Sequence, residues 1–163
     1  AGCHLRGALR HVEAVAGDDF AMVPRNAAFL LTCSATARVA GQVGALAAAE
    51  AAYRYAAPFD STFPFSGFGF EYPVGIGVGA AATALGWYDK AEQHFAQSLA
   101  LCERAGAITY LAATQIHWAE MLCARNGDGD TARARELAEA ALMTAERLGL
   151  AYVRKRAEYV LSS

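Results

Sequence analysis

Apolar residues recur at helical spacing from one end of this chain to the other, and short punctuation by glycine, proline or aspartate breaks the recurrence. No stretch shows the two-residue alternation of a half-buried strand, so the periodicity predicts an all-α fold of about eight helices. The expected spans are 4–16, 25–40, 42–57, 73–85, 88–105, 109–126, 131–148 and 151–161. Gly41, Gly86, Gly106 and Gly149 each follow a periodic run, where a residue at positive φ ends a helix cheaply. Asp130 stands where an N-cap is wanted. Connections this short make neighbouring helices antiparallel hairpins, and hairpins in series must stack to bury their inner faces. The one long connection is 58–72.

An internal repeat underlies the helices. In 79–106, Gly79, Gly86, Tyr88, Ala91, Phe95, Ser98 and Leu99 fall at tetratricopeptide spacing: small residue, turn glycine, aromatic, then small, bulky, small and leucine. Glu103 stands where that pattern has proline. The same frame laid on 118–149 takes Trp118, Gly129, Ala134, Ala138, Ala141 and Leu142 without a gap. From Ala91 to Ala134 the shift is 43 residues, against about 34 in the standard repeat, so the helices should be longer than usual. Phe29, Ala45, Ala49 and Ala52 suggest a degenerate earlier copy.

These residues carry a resemblance. The run 111–161 looks like the C-terminal tetratricopeptide-like repeats of large bacterial signalling ATPases and transcriptional regulators, of the LuxR-type or nucleotide-cyclase-linked kind. The likeness is strongest over 79–161, and 58–72 departs from it by being longer and more aromatic than such a join. The resemblance implies a right-handed superhelix of stacked hairpins. It also implies a regulatory role, in which the repeats receive a partner or effector and pass its binding to an output domain. No catalytic residue carries over, because the chain has no GxxxxGK[ST] phosphate cradle.

Composition narrows the partners. Fourteen Lys and Arg against sixteen Asp and Glu leave a formal charge of -2, which offers neither nucleic acid nor an anionic membrane an electrostatic footprint. The longest charge-free apolar run, 72–88, falls short of the ~20 residues of a spanning helix. Cys3, Cys33, Cys102 and Cys123 lie far apart without a CxxC and read as free buried thiols in a reducing cytoplasm. The N-terminus has neither an initiating Met nor a secretory signal, which fits one helical-repeat domain, 1–163, cut from a longer chain.

Motifs that suggest chemistry fail on context. Gly75, Gly77 and Gly79 lack the preceding strand of a dinucleotide loop and read as close helix packing. Asn126, Asp128 and Asp130 alternate like calcium ligands, but Thr131 and Leu137 occupy the places of the turn glycine and the bidentate carboxylate. His4, His11, His94 and His117 pair with no ligand at metal spacing. The mixed charges around Arg133, Glu136 and Arg154 to Arg156 read as solvated faces. The expectation is no cofactor, no metal and no enzymatic activity, with an enzyme using His94 or His117 as the remote alternative.

The aromatic segment exceeds any such bland account. Phe59, Phe63, Phe65, Phe68 and Phe70 fall within twelve residues, followed by Tyr72 and interleaved with Pro64, Gly67 and Gly69. Packed inward they would plug a junction between helix pairs; exposed they would anchor a partner, since aromatics bring large contact area at low entropy cost. The repeat frame adds Ile76, Ala80 and Thr83 in one first helix, and Ile116, Ala119 and Cys123 in the next, as inner-face residues. The expected role is a scaffold in a cytoplasmic regulator that binds a protein or peptide segment, or another domain of its parent chain. A small-molecule effector pocket lined by the aromatic segment is the alternative.

Overall fold

The computed structural model describes residues 2–67 and 69–163. Its described elements are α1 (Gly2–Phe20), α2 (Ala27–Val43), α3 (Leu46–Ala56), a single 3-10 turn (Ala57–Phe59), α4 (Val74–Ala84), α5 (Tyr88–Ala105), α6 (Ile108–Arg125), α7 (Asp130–Leu148) and α8 (Ala151–Ser162). The fold is all-α, as the periodicity requires. Each helix packs on the next in sequence, and α2, α4, α6 and α8 also touch in series, forming one layer with α3, α5 and α7 behind it.

Helix α4 sits at the centre. Nine of its eleven residues are buried, from Val74 to Ala82, so it is apolar on all sides rather than amphipathic. One core cluster, spanning α1 to α4, takes its Val74, Val78 and Ala81; the other, spanning α4 to α8, takes Ile76 and Ala82. Small residues let backbones approach on every side. A Cβ on Gly77 would stand 2.5 Å from the Ser34 carbonyl oxygen, and one on Gly79 would stand 2.6 Å from the Phe95 ring. The glycines are packing residues, as read from the sequence.

Three local expectations are corrected. Gly41 does not end a helix: it lies inside α2, where a Cβ would fall 2.6 Å from the Ala80 carbonyl oxygen, and the helix ends at left-handed Gly44. Asp130 does not cap α7 from the N-cap place, which Gly129 holds. Asp130 is the first helical residue; its carboxylate accepts from the Gly127 N–H and from Arg125, whose hydrogen bonds hold it down at about 2 against its desolvation. Cys123 is exposed, unlike buried Cys33 and Cys102. Desolvation pushes the Cys33 thiol up to about 11.

The α1 periodicity stops where expected, at Ala16. Gly17 turns extended, and Asp18, Asp19 and Phe20 follow in the left-handed region. This turn drops Phe20 into the core, edge-on to Phe29 and Tyr55, while Asp19 accepts hydrogen bonds from Arg54 and Tyr55. No helix among the described residues is long and apolar enough to cross a membrane.

Candidate functional site

Two features stand out: the aromatic segment and a cavity on the α2–α4–α6–α8 layer. The segment leaves α3 through the 3-10 turn and is tied to α4 at its base. There the Gly75 N–H donates to the Asp60 carbonyl at 3.1 Å and the Val74 N–H to the Thr62 carbonyl at 3.0 Å. Its outer half folds back on itself across a Phe65–Phe70 bridge, with Gly67 at φ +94° in the bend. Hydrogen bonds from Ser66 N–H to Gly69 O (3.0 Å) and Glu71 N–H to Pro64 O (2.9 Å) close the loop.

The two sequence alternatives for the phenylalanines are both realised, residue by residue. Phe63 and Tyr72 are half-buried and pack on Tyr110 of α6 at ring separations of 5.9 and 5.3 Å. Phe59, Phe65 and Phe70 stay open at 49%, 53% and 65% exposure. Phe65 and Phe70 touch each other at 5.6 Å, and Phe63 backs Phe70 at 6.2 Å, so these two exposed rings belong to one aromatic cluster, while Phe59 stands in the 3-10 turn at the base. Phe68 lies outside the described residues. The Tyr110 hydroxyl donates to the Phe70 carbonyl at 2.7 Å, pinning the tip of the loop to α6.

At the base of the segment a carboxylate, an imidazole and a phenol line up. His94 Nδ1 pairs with Asp60 Oδ2 at 2.8 Å, and Nε2 pairs with the Tyr53 hydroxyl at 2.9 Å. Desolvation, with the Asp60 charge, raises the Tyr53 phenol above its ordinary value, so it stays protonated at neutral pH. Both ring nitrogens are engaged, and what the chain of bonds does is strap the 3-10 turn to α3 and α5.

The inner-face expectation is largely corrected. Ile76, Ile116 and Ala119 are fully buried and Ala80 is 8% exposed, because the faces that the repeat frame points inward are filled by the next helix of the same layer. Thr83 is half-buried and bonds back to the Gly79 carbonyl at 2.8 Å; Cys123 is exposed near the C-terminus of α6. What the layer does hold is a cavity of about 160 Å³, reached by Gly41, Gln42, Ala84, His117, Glu120 and Arg156 among others. Of the inner-face residues named by the repeat frame only Ala80 and Thr83 of α4 line it; its Gln42, His117, Glu120 and Arg156 come from α2, α6 and α8, which the sequence does not pair.

The electrostatics of the cavity are uneven. Arg156 makes a two-pronged pair with Glu120 and a third bond to the Tyr152 hydroxyl. Gln42 Nε2 donates to the same hydroxyl at 3.2 Å, joining α2 to α8 across 110 residues of sequence. His117 is 4% exposed; desolvation, then the charges of Arg156 and Arg38, hold it well below its ordinary value, so the imidazole is neutral. Burial raises the Glu120 carboxyl, opposed by its bonds to Arg156.

Comparison of the chain with protein-family models, with curated proteins and with solved structures gives no match.

Proposed function

We propose that the chain is a helical-repeat scaffold that binds a protein segment through the aromatic cluster of 59–72. The observation that carries the reading is the exposure of Phe59, Phe65 and Phe70 on a loop tied at both base and tip. Solvent-facing phenylalanines cost solubility, and a loop already ordered loses little entropy on binding. Phe65 and Phe70, in contact with each other, form the anchor of an interface whose rim is the neighbouring polar surface, with Phe59 open at the base of the loop. In the wider reading suggested by the sequence, the scaffold serves a cytoplasmic bacterial regulator, is not itself an enzyme, and uses neither metal nor nucleic acid.

The test is a double substitution, Phe65→Ser with Phe70→Ser, chosen because both rings lie in solvent and helix content should not change. Peptides selected on the wild-type protein from a random library should bind the variant at least about tenfold more weakly, a loss of ~1.4 kcal/mol or more. Equal binding to both proteins, with circular dichroism unchanged, sinks the proposal. Self-association of the wild type that disappears in the variant identifies the partner as a second copy of the chain.

A further inference from the structure

Helices α2 and α6 both pack on α4 but lie too far apart to pack on each other, which leaves a gap between them. One ring of the aromatic segment bridges it. The Arg38 guanidinium of α2 stacks over Tyr72 at 5.0 Å, and Tyr110 of α6 meets the same ring at a separation of 5.3 Å. Gly77 of α4 lines a cavity of about 50 Å³ beside that ring, together with Leu31, Ala35 and Arg38 of α2. Phe63 joins from the other strand of the loop and rests on Tyr110 at 5.9 Å. The chain thus lays its own segment between two helices much as a docked peptide lies in a groove.

Two observations mark this occupant as replaceable. The first is charge. Glu71 lines the same cavity as Arg38 yet does not pair with it, and Arg38 makes no hydrogen bond or ion pair among the described residues. A guanidinium carries five donors in a planar fork; here Tyr72 uses its face and the fork is left over. The second is attachment. The base ties run from the Val74 and Gly75 N–H groups to the Thr62 and Asp60 carbonyls, and Phe63 and Tyr72 stand within two residues of them. Beyond the ties, the segment meets α2 and α6 through these rings and through the hydrogen bond from Tyr110 to the Phe70 carbonyl. Rotating two side chains and breaking that bond vacates the gap with every helix left in place.

We propose that the gap between α2 and α6 is a second docking groove, closed in the free chain by Tyr72, and that its partner is an acidic protein segment with an aromatic ring next to a carboxylate. The incoming ring takes the place of Tyr72 between Arg38 and Tyr110, where a planar cation and a second ring favour an aromatic over an aliphatic side chain. Its neighbouring carboxylate pairs with the guanidinium fork that Glu71 leaves unspent, a charge-assisted contact the chain does not make for itself. The same unpaired cation repels a basic segment. This groove is distinct from the Phe65–Phe70 anchor, whose rings face solvent, so the two sites stand or fall separately.

The probe is a fluorescein-labelled peptide with blocked ends, Gly-Ser-Glu-Tyr-Glu-Ser-Gly, read by fluorescence polarisation beside a twin in which Gln replaces both Glu. Tyr72→Ser should bind it at least about tenfold more tightly than the wild type, because the closed form no longer competes. Adding Arg38→Met to that variant should remove most of the gain, and with it the preference for the acidic peptide over its twin. In the wild type, saturating probe should quicken amide exchange at 66–71 as the loop is released, whereas a probe seated on the Phe65–Phe70 anchor slows it. This readout holds whether or not Tyr72→Ser folds. The Phe65→Ser, Phe70→Ser variant should bind the probe as the wild type does, which keeps the test independent of the anchor. No tighter binding by folded Tyr72→Ser, equal affinity for the two peptides, equal binding with Arg38→Met, or unchanged or slowed exchange at 66–71 overturns the proposal.

Discussion

Gly77 presses against α2 with no room for a methyl group, whereas a Cβ on Gly7 in α1 would meet nothing within 4 Å. The two glycines therefore predict opposite signs. Gly77→Ala must push a Cβ into the Ser34 backbone and should destabilise by about 1–3 kcal/mol. Gly7→Ala should stabilise by roughly 0.5–1 kcal/mol, because alanine has less backbone entropy to lose in a helix. Urea midpoints at constant slope measure both; a neutral Gly77→Ala would mean that α2 and α4 can part without cost. The close-packing role of Gly75, Gly77 and Gly79 was legible from sequence, since a run of small residues without a strand before it has few other uses. Gly41 was misread because a glycine at a helix crossing and a glycine at a helix end look alike until the partner helix is known.

At the scale of an element, the loop 58–72 is held by few bonds, and each has a measurable share. Tyr110→Phe keeps the ring packing on Phe63 and Tyr72 but removes the hydroxyl donated to the Phe70 carbonyl. Global stability should fall by about 1 kcal/mol or less, while amide exchange of residues 66–71 should quicken much more than that of α4. Uniform acceleration across the whole chain would show that the loop does not open on its own. Clustering of the five phenylalanines marked this element in the sequence. Their burial was not legible: it depends on Tyr110 of α6, some forty residues on, which receives Phe63 and leaves Phe65 and Phe70 to solvent.

For the whole molecule, the layer of α2, α4, α6 and α8 makes stability depend on pH through His117. Folded, this ring is held neutral; unfolded, it takes a proton near 6.5. Its contribution is therefore complete above that value and is lost as pH falls below it, at up to ~1.4 kcal/mol per pH unit. Glu120 runs the other way: its raised carboxyl contributes stability present below the ordinary 4.5 and lost as pH rises through the folded value. His117→Asn leaves Glu120 in place, so the difference between the two proteins isolates the histidine. Unfolding free energies between about pH 5.5 and 7.5 should fall more steeply on acidification in the wild type, and parallel profiles would count against a neutral buried His117.

The sequence by itself determined the helices, their number and most of their ends, because periodicity and positive-φ glycines act over a few residues. It also determined that Ala134, Ala138 and Ala141 turn inward together, since one helix face is a local property. Tertiary structure alone decided which inward faces were closed and which left a cavity. Ile76, Ile116 and Ala119 are sealed by the next helix of their layer, while Gln42, His117 and Arg156 gather from α2, α6 and α8. Contacts between residues so far apart in the chain depend on how the hairpins stack, and that stacking is set by packing across the whole fold rather than by any local pattern.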